Sequence, residues 1–258
     1  MLLEAFDTNK KAIINPDMVN EPIENFPETV VTCFARGTFE RILQELPHKH
    51  LVTTSVANLD IPIYEIDFDG HKLGFFNAYV GAAGCVAILE DLIVMGMKNL
   101  VVFGTCGVLD SSISQTSIII PTAALRDEGT SFHYALPSDE IAVNQGFDAD
   151  FQHFLDRQQV SYTIGKVWTT DAIYRETADK MARRKSQGAV CVDMECSAIA
   201  ALADFRGINH FQFFYSADNL DAEVWDERTL GNHSDLEAKD RIAYIALGFA
   251  KERFSSSD

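Results

Sequence analysis

The chain has 258 residues, 47% hydrophobic and 23% charged. That is the balance of a packed soluble domain large enough to bury a pocket, and it argues against disorder. With 21 Lys and Arg against 38 Asp and Glu, the net charge is −17. This argues against a nucleic-acid binder, which must neutralise phosphates, although a small anion needs only one local cluster of donors. The opening residues 1–7 lack a basic stretch followed by an apolar run, so no secretory signal is expected. No segment approaches the roughly 18 apolar residues of a membrane span. The five cysteines (Cys33, Cys85, Cys106, Cys191 and Cys196) are odd in number and have no CxxC spacing. They read as buried free thiols in a reducing compartment, with zinc and disulfides disfavoured and a cytoplasmic location expected.

Taken in chain order, residues 1–28 form a loose N-terminal arm carrying three of the seven prolines, and 29–254 form one domain. Residues 30–34 are β-branched and apolar, a strand. Residues 39–46 read as a helix. Residues 61–68 and 72–80, joined by Asp69-Gly70, form a hairpin with suitable turn chemistry. Residues 82–96 carry Val86, Leu89, Leu92 and Ile93 at helical spacing, with Gly96 as the stop. Short apolar runs at 99–103, 117–120, 162–168, 189–192 and 211–215 are strands buried on both faces. Helices are expected at 178–186, 195–204 and 235–254, with a polar tail at 255–258. Strands alternating with helices, plus a hairpin, predict an α/β domain with a mixed sheet covered by helices.

Four segments carry candidate chemistry, each with a plainer alternative. In Phe103-Gly104-Thr105-Cys106-Gly107, two glycines flanking a hydroxyl let backbone approach an anion; the alternative is a tight turn ending a strand. Val192-Asp193-Met194-Glu195-Cys196 puts a carboxylate where a strand feeds a helix. A ribose diol would satisfy it, as would a simple capping role. Asp218, in Tyr215-Ser216-Ala217-Asp218-Asn219, stands where partial desolvation would raise its pKa and suit it to general-acid work, or it forms an Asx-turn. The run 126–134 mixes Arg126, Gly129, hydroxyls, Phe132 and His133, suiting either a ligand-lining or an exposed loop.

The ordered set GAAGCVAILEDLIVMGMKNLVVFGTCGVL (81–109), ALRDEGTSFH (124–133), WTTDAIY (168–174), VDME (192–195) and SADN (216–219) resembles the nucleoside phosphorylase superfamily, the branch of purine and uridine phosphorylases and related nucleosidases. The resemblance spans roughly residues 28–252. It implies a single α/β domain with a mixed, partly barrel-like sheet. It also implies cleavage of a nucleoside N-glycosidic bond, by phosphate in phosphorylases and by water in nucleosidases, with no metal or cofactor. By resemblance, Met194 packs under the ribose, and Glu195 binds its hydroxyls and favours its developing positive charge. Trp168 stacks on the base, and Asp218, beside Asn219, protonates a purine as it leaves. Phe132 and His133 line the pocket, and Gly104, Thr105 and Cys106 hold the phosphate. The arginines the phosphorylases use for phosphate fall here on Thr38, Val102 and a position near Ser55, and a family glycine falls on Phe34. The uridine enzymes' glutamine–arginine pair is replaced by Arg175-Glu176-Thr177. Arg36 and Arg126 are the first candidates to meet the acceptor, with Arg175, Arg228 and Lys49 behind them. The expectation is a cytoplasmic phosphorylase of purine nucleosides, a homo-oligomer (hexamer or dimer), with a nucleosidase or a non-catalytic nucleoside binder as alternatives.

Overall fold

A computed structural model describes residues 2–230 and 235–254; the expected tail at 255–258 lies outside them. In chain order the elements are β1 (Thr29–Cys33), α1 (Arg36–Glu45), β2 (His48–Val56), β3 (Leu59–Phe68), β4 (His71–Asn77), α2 (Ala82–Met95), β5 (Asn99–Val108) and β6 (Ile118–Asp127). There follow β7 (Glu140–Ala142), α3 (Asp148–Arg157), β8 (Tyr162–Thr170), α4 (Ala178–Ser186), β9 (Ala189–Asp193), α5 (Cys196–Arg206), β10 (Asn209–Asn219) and α6 (Leu236–Phe254). Each expected strand and helix is present. β2, β7 and α3 were not anticipated: β2 is mostly exposed, with three basic residues in its first three, and lacks the apolar alternation that marks a strand.

The sheet is mixed and partly closed. β5 pairs with β10, β10 with β6, β6 with β8, β8 with β9, and β9 again with β5, which makes a five-stranded ring. All five ring strands contribute to one apolar cluster that includes Cys106, Val108, Ile119, Val167, Cys191 and Phe214. From the other edge of β5 the sheet continues outward through β1, β4, β3 and β2. Helices α1, α3 and α6 cover one face, over an aromatic cluster of Phe151, Phe211, Phe213 and Phe249. Helices α2 and α5 cover the other. The N-terminal arm stays exposed at Ile13, Ile14, Met18 and Val19. It is then fastened by Asn20, whose amide donates to Asp91, and by the buried Phe26.

Two irregularities shape the site. β1 pairs with β5 only as far as Phe103, and β9 joins the same edge only at Gly107, so Gly104–Cys106 lie in a fork between two neighbouring strands. The glycine segment read as a turn after a strand is therefore strand itself, held along its other edge by β10. On β10 the register slips between Ser216, opposite Cys106, and Asp218, opposite Gly107. This bulge at Ala217 turns Asp218 to the face of β5 that carries Thr105 and Gly107. Regular alternation would have aimed it with Phe214 and Ser216.

Candidate active site

The fork opens onto a cavity of about 250 Å³. Thr105, Cys106 and Gly107 form one wall, the β9–α5 junction Val192–Glu195 another, and Asp218 and Leu220 a third. Phe34, Val80, Ile173, Glu176 and Leu230 complete it. A larger, more open groove of about 950 Å³ lies between α3, α6 and the β3–β4 turn, and none of the motif residues lines it.

Glu195 is nearly buried, and its Oε1 accepts a 2.5 Å hydrogen bond from the Gly81 N–H at the start of α2. Gly81 has φ of 110°, in a region open to glycine but strained for other residues. Loss of solvent, then the charge of Asp193, raises the proton affinity of Glu195. Asp193 plays the capping role. Its Oδ2 accepts from the N–H groups of Glu195 (2.9 Å) and Cys196 (2.7 Å), and its Oδ1 from the Thr169 hydroxyl (2.7 Å). Burial also raises Asp193, opposed by those three donors. The chain of buried partners continues: Thr169 accepts from the Ser197 N–H, and the Ser197 hydroxyl donates to Glu128. One carboxylate thus starts the helix and holds the next in place.

Asp218 is also nearly buried, and desolvation raises its pKa. The Trp225 indole N–H, donating to its Oδ2 at 2.8 Å, and the nearby Arg228 charge pull the other way. Glu176 faces the same space. Burial and the charge of Asp218 push it up to about 7. The Cys106 thiol is held well above its ordinary pKa by burial and stays protonated. Among the described residues no group of three or more His, Cys, Asp or Glu is placed to hold a metal ion.

The structure therefore brings Thr105, Cys106, Met194, Glu195 and Asp218 to one cavity and leaves other expected residues outside it. Gly104 is on the fork, where an added Cβ would stand 3.0 Å from Phe34, yet it does not line the cavity. Trp168 is 0% exposed. The alternation of β8 turns it into a cluster with Leu109, Leu125 and Val192, where its indole donates to Asp127 at 2.9 Å, so it has no open face for a base. Asn219 donates to the Ser111 hydroxyl away from the cavity. Phe132 lies under the Arg126 guanidinium, 4.0 Å from ring centre to Cζ, and His133 is exposed. Neither lines the cavity in a single chain.

The cations also lie elsewhere. Arg126 is buried and donates to the Ser131 hydroxyl, the Leu136 carbonyl and the Ser138 hydroxyl. Arg36 is exposed and paired with Glu40, and Lys49 is paired with Glu65. Arg228 donates to Ser216 Oγ and the Ile113 carbonyl, and its charge acts on Asp218. Among the described residues the cavity lining contains four carboxylic side chains and no Lys, Arg or His. Glu176 and Trp225 were not anticipated. Only the composition of Arg175-Glu176-Thr177 pointed to the first, and nothing in the sequence ties Trp225 to Asp218, seven residues earlier.

The phosphorylase superfamily model matches residues 29–247, and the chain belongs to that family. A guanosine phosphorylase from Halorubrum lacusprofundi is 24% identical over 174 residues, covering 67% of this chain and 70% of that protein. A DeoD-type purine nucleoside phosphorylase from Bacillus cereus is 27% identical over 160 residues, 59% of this chain and 66% of the relative. The match thus spans about two thirds of the length of these relatives. Among solved structures, uridine phosphorylase from Vibrio fischeri superposes with a TM-score of 0.75 at 18% identity, covering 94% of this chain and 100% of that one. Purine nucleoside phosphorylase from Toxoplasma gondii, in complex with immucillin-H, gives 0.73 at 17%, covering 90% and 97%.

Proposed function

We propose that the protein is a nucleoside phosphorylase, transferring a pentose from a nucleobase to inorganic phosphate, with purine nucleosides as substrates. The observation that carries this reading is the convergence of Thr105, Met194–Glu195 and Asp218 on one cavity of about 250 Å³. The apolar walls formed by Phe34, Val80, Ile173 and Leu220 suit a flat base and a sugar ring. Glu195, positioned by Gly81 and Asp193, accepts hydrogen bonds from the sugar hydroxyls. Burial disfavours its ionised form in the empty site, and the sugar hydroxyls together with the cationic sugar that forms as the glycosidic bond breaks favour that form and are stabilised by it in turn. Asp218 delivers a proton to the departing base, a role that its raised pKa serves. Thr105 offers a hydroxyl, and the fork offers backbone, to the acceptor.

No cofactor or metal takes part in this scheme; phosphate is the co-substrate. We place the protein in the cytoplasm as a homo-oligomer. Five buried free cysteines support a reducing compartment, and among the described residues no helix is long and apolar enough to cross a membrane. Val80 and Ile173, which line the cavity, and Trp225, bonded to Asp218, are exposed, apolar surface of the kind a second subunit covers.

A second reading, hydrolysis with water as acceptor, is favoured by one observation: the absence of a cation among the described lining residues. Phosphate is ordinarily held by charge-assisted donors, whereas water needs none. Base release from inosine, adenosine, guanosine, uridine and methylthioadenosine, each with and without phosphate, separates the two. Release that requires phosphate and yields a sugar 1-phosphate is expected. Equal release without phosphate would establish hydrolysis, and no release from any substrate would refute both. In Asp218→Asn, purine release should fall by about 100-fold or more, the range for loss of a general acid.

A further inference from the structure

Glu128 is buried just beyond β6, outside the cavity, and the scheme above gives it no task. Among the described residues no cation pairs with it. Arg126, whose charge is close enough to interact with it, spends its hydrogen bonds on Ser131, Leu136 and Ser138. A buried carboxyl without an ion pair is costly unless donors satisfy it. Two donors do, and they come from different parts of the chain. Oε2 accepts from the Ser131 N–H at 2.9 Å, three residues away, and Oε1 from the Ser197 hydroxyl at 2.9 Å, in the first turn of α5. Ser197 is a junction. Its hydroxyl is committed to Glu128, and its N–H donates to Thr169 Oγ1 at 3.1 Å, whose own hydroxyl then points at Asp193. The N–H groups of Glu195, Cys196 and Ser197, which open α5, are thus all held by the side chains of Asp193 and Thr169. Glu128, Thr169, Asp193, Glu195 and Ser197 are all buried, so a partner lost from this set is not simply replaced by solvent.

We propose that Glu128 is a positioning residue for the sugar-binding carboxylate: acting through Ser197, Thr169 and Asp193, it fixes the start of α5 and with it Glu195. The inference rests on the reading above that Glu195 meets the sugar hydroxyls. Glu195 is the residue that precedes α5, and its carboxyl is fixed at the far side by the Gly81 N–H. Its backbone side is fixed only by the buried set that Glu128 terminates. A shift of a few tenths of an ångström in the first turn of α5 therefore moves the carboxylate against the sugar. Such a shift weakens hydrogen bonds to a hydroxyl and the stabilisation of the cationic sugar together.

The test compares kcat/KM for inosine and 2′-deoxyinosine, with phosphate present, in wild type, Ser197→Ala, Glu128→Gln, the double variant and Glu195→Gln, with thermal melting to confirm that each folds. 2′-Deoxyinosine lacks one hydroxyl, so wild type should favour inosine by about tenfold or more, the effect of a hydrogen bond to a charged group. Glu195→Gln should bring that ratio to within about threefold. Ser197→Ala keeps the bond from Ser131 to Glu128 and severs only the link to α5. Since displacing a reacting group by about 1 Å costs about 100-fold, it should lower kcat/KM for inosine by about tenfold, and for 2′-deoxyinosine by about threefold. Glu128→Gln should act alike, because its amide donates to Ser197 and reverses that hydrogen bond. The double variant should be little worse than the poorer single one. A purely structural role would lower Tm and slow both substrates equally. Folded single variants that keep the wild-type ratio overturn the proposal, as does a double variant whose loss is the product of the two single losses. If Glu195→Gln collapses the ratio in that case, the role of Glu195 stands and the link from Glu128 alone is refuted. Glu195→Gln with the wild-type ratio would refute the sugar role of Glu195, and the proposal with it.

Discussion

Gly107 is the position where a single methyl group tests the site most directly. A Cβ added there would stand 2.4 Å from Leu220 Cδ1, 3.1 Å from Asp218 Oδ1 and 3.2 Å from Val192 Cγ1. Its backbone is ordinary strand, so Gly107→Ala introduces no dihedral strain and its whole cost is steric. The Leu220 methyl ends a flexible side chain and can swing away. Val192 is buried in β9, and Asp218 is tethered by the Trp225 indole, so these two yield only by tenths of an ångström. Overpacking of this kind costs about 1–3 kcal/mol. For a domain of this size each kcal/mol lowers Tm by about 2–4 °C. Displacing a reacting group by about 1 Å costs about 100-fold, so a shift of a few tenths should lower kcat/KM for purine nucleosides by about tenfold. The assays are thermal unfolding and base release, with Gly165→Ala for comparison. There a Cβ would meet Val190 methyls at 2.6 Å, away from the cavity, and stability should fall while activity is kept. Gly107→Ala with a lowered Tm and wild-type kcat/KM would refute the assignment of Asp218 to the chemistry. An unchanged Tm would refute the packing reasoning itself.

Two further outcomes follow from the same geometry. Trp225→Phe removes a donor that favours the Asp218 carboxylate, so Asp218 should keep its proton to higher pH; the alkaline limb of the kcat/KM profile should move upward, and a downward move would contradict the assignment. Burial gives Glu195 a higher proton affinity in the folded than in the unfolded chain, so folding takes up a proton and stability declines as pH rises from the ordinary carboxylate range through neutrality. Glu195→Gln should therefore flatten the dependence of unfolding free energy on pH, measured by urea titration across that interval, while reducing kcat/KM by about tenfold or more; an unaltered slope would show that Glu195 is not the buried acid responsible.

Much of this protein is legible in the order of its residues. Continuous apolar runs such as 99–103 and 211–215 are too short for membrane spans and too uniformly apolar for half-exposed strands, so they announce a buried sheet; the 3.6-residue spacing of Val86, Leu89, Leu92 and Ile93 announces the helix that covers it. The VDME and SADN segments marked two of the acids that meet at the cavity, because a carboxylate at the end of a buried strand is costly unless it has work to do. Other features depended on contacts between segments far apart in the chain. The ring closes because β5 pairs with both β9 and β10, and Gly104–Cys106 lie in a fork only because β1 stops where β9 has not yet begun. A one-residue bulge decides which way Asp218 points, and local sequence does not encode the register of a distant partner strand. For the same reason Trp168, a plausible stacking surface by its chemistry, is turned inward against Leu125 and Val192, while Glu176, inconspicuous in a polar run, reaches the cavity. Residue types and spacing determined the class of fold and the kind of chemistry; tertiary pairing alone decided which side chains share a cavity, because side-chain direction in a sheet is set by register with neighbours the sequence does not name.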